Sequence, residues 1–345
     1  MVGQNQAIQG LQLMQSESSF VERPWVSTGL FNDIDEQAAQ YSGYGQQYQQ
    51  LSRGAFEGRF YSFNFGDDLN IHLESTNRAL AQSASTPRGR YGACVLTQDS
   101  PPCALNATTV AQDHVVHCPE NRSLEGKTPE GATIYCLDLA CDILPDEGSE
   151  MRMVGVLKDA ARSKELRELI QAALSTLTTL GTMAAYPAVV QNFKSSLVDL
   201  LSQMALESTG RSRRETRPYN RARALQAFKR AREYIHHRLA DGISIVNLCR
   251  AIGVSRRSLE SVFQSVIGIG PVSYIRILQL NLIRRDLISD VSAGASIGVI
   301  AARHGVWHWS RFSQYYGMLF GELPSETRLR NAKLAETRTL GGHRR

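Results

Sequence analysis

Two short runs near the C-terminus carry side chains suited to reading a surface. The first holds Arg256, Arg257, Glu260, Ser261 and Gln264; the second holds Trp307, His308, Arg311, Ser313 and Gln314. Arg, Gln, Ser and His present the donors and acceptors that pair with base edges in a DNA major groove. A tryptophan can lie on a sugar or a thymine methyl. Positions 257, 260, 261 and 264 are spaced i, i+3, i+4, i+7, so one helix carries them as a single stripe. Glu260 has three open roles: accepting from cytosine N4, buttressing Arg256 or Arg257, or none. Bond-breaking chemistry has weaker support. The chain contains no G-x-S-x-G elbow, phosphate loop or H-E-x-x-H helix. His114 and His117 with Glu120 come nearest to a metal set, but strand alternation puts the two histidines on opposite faces. No catalytic residue, metal or cofactor is expected.

The elements that must hold the two runs form an internal repeat. Ile245-x-x-Leu248-Cys249-x-x-x-Gly253 returns 52 residues later as Ile297-x-x-Ile300-Ala301-x-x-x-Gly305. Beyond the glycine, Leu259, Phe263, Gly268 and Pro271 answer to Phe312, Tyr316, Gly321 and Pro324. Each copy predicts a helix, a tight turn whose glycine supplies φ > 0, and a second helix. Ser255 is placed to cap the first of these second helices, anchored inward by Leu259 and Phe263. Phe312, Tyr316 and Phe320 anchor the other, and Trp309 is expected to pack inward. The spacing also predicts one helix over 272–288, which fixes the distance between the copies. Its Arg284 and Arg285 are expected to hold phosphate at most. An opening helix carries Leu225, Phe228, Ala231, Ile235 and Leu239.

Charge follows the same division. Residues 1–210 hold 14 Lys+Arg against 24 Asp+Glu, and residues 211–345 hold 24 against 9. A half at −10 joined to a half at +15 implies a polyanionic partner for the C-terminal half.

Alternating runs Tyr61-Phe63-Phe65 and Leu69-Ile71-Leu73 flank a Gly66-Asp67-Asp68 turn. They predict a β-hairpin with one wet face, its aromatic residues in the core. Strands are further expected at 90–96 and 132–139. Two amphipathic helices follow, one over 164–180 capped by Ser163 and one near 188–205. Their stripes suit the sheet, each other or a dimer interface. The uncharged stretch 169–193 contains too many polar groups for a bilayer span, so it reads as two helices broken near Gly181. The first thirty residues lack a basic region followed by an apolar one, so no secretory signal is expected. A cytoplasmic chain with six reduced cysteines, five of them between Cys94 and Cys141, follows. Those cysteines read as small buried apolar side chains.

The C-terminal third resembles the DNA-binding domain of AraC/XylS-family transcription regulators. VSRRSLESVFQSVIGIGPVSYIR (254–276) and HGVWHWSRFSQYYGMLFGELPSET (304–327) carry the likeness. With 279–285 added, it is nearest the branch of ethanolamine-utilisation and aromatic-catabolism regulators. YGQQYQQLSRGAFEGRF (44–60) is similar to that branch more loosely. Val306 departs from the family's usual Phe, and Gln279 stands where an Arg is common. The resemblance implies an inducer-responsive activator: a sensing and often dimerising N-terminal domain, two helix-turn-helix units entering successive major grooves, and contact with RNA polymerase. The expected architecture is therefore two-domain. A flexible arm (1–24) precedes a mainly β, cupin-like sensing and dimerisation domain with two helices (25–206). A linker (207–220), an all-α DNA-binding domain (221–330) and a mobile tail (331–345) follow. The expected partners are a duplex operator, a small-molecule effector and a second copy, with no membrane. The competing reading is a metal-binding or enzymatic barrel with an accessory DNA-binding domain.

Overall fold

A computed structural model of the chain describes residues 26–144, 152–180, 187–212, 218–289 and 294–330. The arm, the tail and the break near Gly181 lie outside them.

The β-rich part is two antiparallel sheets. The seven-stranded sheet has the order β1 (Val26–Phe31), β3 (Gly58–Asn64), β4 (Leu69–Thr76), β11 (Ala132–Ala140), β6 (Arg90–Leu96), β9 (His114–Cys118), β12 (Gly155–Lys158). The five-stranded sheet runs β2 (Gln47–Gln50), β5 (Leu80–Ser85), β10 (Ser123–Thr128), β7 (Cys103–Leu105), β8 (Thr108–Val110). A one-turn helix, α1 (Ile34–Ala38), joins β1 to β2 and is capped by the Asp33 carboxylate.

The expected hairpin is β3–β4, with Tyr61 opposite Leu73 and Phe63 opposite Ile71. Period-two alternation then sorts the seven-stranded sheet. Leu69, Ile71 and Leu73, Tyr91, Ala93 and Val95, and Tyr135, Leu137 and Leu139 point to one face. Tyr61, Phe63 and Phe65 join them in that core, as their alternation implies. The opposite face is not wet. His72 and Glu74 are only 8% and 3% exposed, because the second sheet covers them.

Helices α2 (Ala160–Leu180) and α3 (Pro187–Ser212) lie on the outer face of the seven-stranded sheet. Leu166, Ile170, Phe193, Leu197, Leu200, Leu201 and Met204 are buried there together. Most described positions of both stripes are thus covered within one chain, while Val189 stays exposed. Ser163 does not cap α2. Asp159 does, its carboxylate accepting from the Arg162 amide at 2.9 Å, and Ser163 is buried inside the first turn. α3 continues to Ser212, into the stretch expected as a linker, and its Glu207 meets Arg162 at 2.8 Å.

The C-terminal helices are α4 (Pro218–Arg238), α5 (Ile245–Ile252), α6 (Arg256–Ile267), α7 (Pro271–Ile288), α8 (Ile297–Arg303) and α9 (Trp309–Phe320), with a last helical stretch at 324–330. α7 enters both C-terminal cores. Tyr274 and Leu278 pack with α4, α5 and α6; Leu280, Ile283 and Leu287 pack with α8 and α9. One uninterrupted helix therefore ties the two repeat copies together. Among the described residues no single helix is long and apolar enough to cross a membrane.

Candidate nucleic-acid interface and the cavity between the sheets

Each repeat copy folds as a helix-turn-helix. Ser244, Ser255 and Ser296 cap α5, α6 and α8 with their hydroxyls. Gly253 and Gly305 close the two turns at φ 72° and 75°, the left-handed region where a side chain is strained. Leu259 and Phe263 are fully buried under α6, and Phe312, Tyr316 and Phe320 are buried under α9. With the apolar stripe inward, Arg256, Arg257, Ser261 and Gln264 are all exposed on α6. Glu260 differs from them. It is half-buried, and its carboxylate lies against Gly270, where an added Cβ would meet Oε2 at 2.8 Å.

On the second copy Trp307, His308, Arg311, Ser313 and Gln314 are exposed. Trp307 is 65% exposed, ahead of the helix. Trp309 only partly meets the expectation that it packs inward. Its ring edges against Phe312 at 6.4 Å and lies over Gly298, yet it remains 46% exposed. Val306 packs at the margin of this core. Gln279 donates to the His304 carbonyl at 2.9 Å and so braces the second turn from α7.

Arg284 and Arg285 do not face outward for phosphate. Arg284 is 8% exposed, pairs with Glu322, and stands 3.6 Å from Asp33. Arg285 forks onto the Asp35 carboxylate at 2.7 and 2.8 Å and also donates to the Tyr48 carbonyl. The expectation that they hold phosphate at most took no account of a second domain, because helical periodicity carries no information about one. The β-rich part supplies that face. Nearby, the Gln50 amide N–H donates to Asn281 at 3.0 Å, and Arg232 pairs with buried Glu125.

Between the sheets lies a cavity that opens to solvent. Leu96, Leu105, Val110, Val116, Leu124 and Ile134 line it, with Cys94, Cys103, Cys118 and Cys136. Four of the five clustered cysteines therefore line the cavity, Cys103 from the five-stranded sheet and the other three from the seven-stranded one, and all six are free thiols. Cys94 and Cys136 face each other across β6 and β11 with sulfurs 3.4 Å apart. Burial raises the pKa of the Cys103, Cys118 and Cys136 thiols, with the Cys94 hydrogen bond the leading cause at Cys136.

The polar wall comes from β4, β11 and the segment after α1. Glu74 accepts from the Tyr48 hydroxyl at 2.6 Å, Gln37 Nε2 at 2.7 Å and the Tyr41 hydroxyl at 3.0 Å. Burial raises its pKa against those three bonds. Asp138 accepts from Arg90 at 2.6 Å, Tyr44 at 2.8 Å and Asn70 at 3.1 Å. Burial opposes its charge, but these donors outweigh burial and hold its pKa low. Burial lowers the His72 pKa to about 4, so its ring is neutral near pH 7. The residues of the 44–60 run thus join two places. Tyr44, Gln46 and Tyr48 reach the cavity wall or its acids, and Tyr48 and Gln50 reach α7. Of the proposed metal pair, His117 stacks on Tyr91 at 5.9 Å while His114 accepts from the Ala111 amide at 3.2 Å.

A profile of the helix-turn-helix domain family matches residues 248–330. XylDLEGF operon transcriptional activator 3 of Pseudomonas putida is 38% identical over 109 residues, 31% of this chain and 32% of that one. XylDLEGF operon transcriptional activator 2 is 34% identical over 100 residues, covering 29% and 64%. The probable thc operon regulatory protein of Rhodococcus erythropolis is 32% identical over 94 residues, 27% and 28%. The match to the first of these spans about a third of that relative's length. The solved AraC-like transcriptional activator CuxR is 19% identical with a TM-score of 0.38, covering 86% of this chain and 95% of its own, too low for an argument from shape. Residues 248–330 thus match the helix-turn-helix domain family, and the C-terminal third of the chain is similar to operon transcriptional activators.

Proposed function

We propose that the chain is a sequence-specific, duplex-DNA-binding transcription activator controlled by a small effector held between its sheets. One observation carries the reading. Two exposed polar stripes sit on the second helices of two repeat copies, and a single helix, α7, packs into both cores. Arg257, Ser261 and Gln264, with Arg256 beside them, read one groove; Arg311, Ser313 and Gln314, with Trp307 and His308, read the next. Glu260 acts as a support of the first reader, consistent with its place against Gly270. The net +15 of residues 211–345 supplies the non-specific grip.

Residues 25–206 form the sensing part and 221–330 the DNA-binding part in this reading. The segment 33–50 is the route between them. Gln37, Tyr41 and Tyr48 hold Glu74 on the cavity wall, while Asp33, Asp35 and the Tyr48 carbonyl hold Arg284 and Arg285 of α7. An effector that rearranges the first set shifts the second. The same reading, on the chain's resemblance to AraC/XylS regulators, includes homodimerisation, contact with RNA polymerase, a cytoplasmic location and no catalytic role. The test is selection of bound duplexes from a random pool with the full chain, followed by fluorescence anisotropy on the winning site and its single-base variants. Equal affinity for every duplex would overturn the reading.

A further inference from the structure

We infer that the cavity takes a small organic amine, its ammonium paired with Glu74 and its apolar body against the aliphatic and thiol wall. This rests on the reading of the cavity as the effector site. Two acids stand on the same wall, and they are treated differently. Asp138 has its own cation, Arg90, at 2.6 Å. Glu74 receives neutral donors from Gln37, Tyr41 and Tyr48, and among the described residues no Lys or Arg forms an ion pair with it. A carboxylate removed from water without a counter-charge costs several kcal/mol, so it holds a proton or waits for a cation.

Nothing else in the described lining supplies that cation. Among the described residues no Lys or Arg lines the cavity, and His72 is neutral near pH 7. Glu74 also has room for one more donor. Gln37 and Tyr48 share Oε1, Tyr41 takes one site on Oε2, and a carboxylate offers about four. Tyr41 and Tyr44 add aromatic surfaces to the same lining, a setting that favours a cation over an anion. A ligand carboxylate would meet two acids and, among the described lining residues, no Lys or Arg.

The test uses the full-length protein and three probes that share a 2-phenylethyl body: 2-phenylethylamine, 2-phenylethanol and 3-phenylpropanoate, titrated calorimetrically at pH 7.5. The amine is expected to bind at least ~10-fold tighter than the alcohol, the gain of a charge-assisted over a neutral hydrogen bond, and the carboxylate not at all. Glu74→Gln should bring the amine down to the alcohol's level. Carboxylate binding equal to the amine's, full amine binding by Glu74→Gln, or no binding by any probe would each overturn the proposal. If Glu74→Gln does not fold, the wild-type series decides alone. DNA affinity of the same preparation is read separately. Specific DNA binding without amine binding defeats the amine and leaves the regulator standing, and the reverse result does the opposite.

Discussion

The Tyr48 carbonyl accepts a hydrogen bond from Arg285, while the hydroxyl of the same residue donates to Glu74 at 2.6 Å. One residue of β2 therefore touches both the cavity's buried acid and the helix that joins the two repeat copies. Arg285 is committed to this contact and to Asp35, with its side chain 30% exposed.

From that commitment follows a prediction about Arg285→Ala. It should change full-chain DNA affinity by the same factor for every sequence and leave the salt slope unchanged. Asp35→Ala should do the same, and the double variant should add little, since both remove one contact. The pair is partly solvated, so its direct worth is ~1 kcal/mol or less. Anisotropy at several salt concentrations checks this. A slope flattened by about one for Arg285→Ala alone would mean that Arg285 grips phosphate.

The two turn glycines have the same backbone but different surroundings. Gly253 is at φ 72° with nothing within 4 Å of an added Cβ; at Gly305, φ 75°, that Cβ would stand 2.4 Å from the Leu239 carbonyl oxygen. Gly253→Ala should cost ~1–2 kcal/mol from left-handed strain alone. Gly305→Ala should cost at least ~1 kcal/mol more, because α4 must also give way. Urea unfolding of the two variants measures the difference. Equal costs would show that the Leu239 carbonyl yields freely.

The helix-turn-helix repeat was legible because its information is local. Glycines at the turns, serine caps and i, i+4 anchors all act within one supersecondary unit. β3, β4, β6 and β11 were legible for the same reason, through alternation. β2 and β5 were not: QYQQ and LAQSAS carry too few apolar residues to signal strands, and they exist because they pair with each other and β5 pairs with β10. The polar cavity wall was read as wet since Glu74 and His72 look solvated until the second sheet is placed over them. The roles of Arg284 and Arg285 depend on Asp33 and Asp35, some 250 residues away, a distance at which periodicity says nothing.

The buried histidines set an acid limit. Burial lowers the pKa of both His72 and His117 to about 4, from 6.5 in the unfolded chain. The unfolded state binds more protons across that window. Each therefore contributes stability that is complete above pH 6.5 and is lost as pH falls toward 4. Glu74 works in the opposite direction, since its raised pKa favours the fold at low pH and weakens it as pH rises. At pH 5 each histidine should have given up about 2 kcal/mol. His117→Asn should accordingly lose about 2 kcal/mol less than wild type between pH 7.5 and 5 in urea unfolding. Identical pH dependence in the two proteins would show that His117 titrates normally.

Base reading and simple grip can be separated on α6. Arg257, Ser261 and Gln264 form one exposed stripe opposite buried Leu259 and Phe263. Arg257→Ala should cost ~1–3 kcal/mol at the selected site and relax preference at one base-pair position, the signature of an arginine on a guanine edge. Gln264→Ala should relax a different position, about two helical turns further along the same stripe. Ser265→Ala, whose hydroxyl donates back to the Val262 carbonyl at 2.9 Å, should leave specificity intact and serves as the control. The comparison needs anisotropy on the selected duplex and on single-base variants at two salt concentrations. If Arg257→Ala weakens every duplex alike and lowers the salt slope by about one, the arginine holds backbone phosphate, and the reading face of α6 must be rotated toward Arg256.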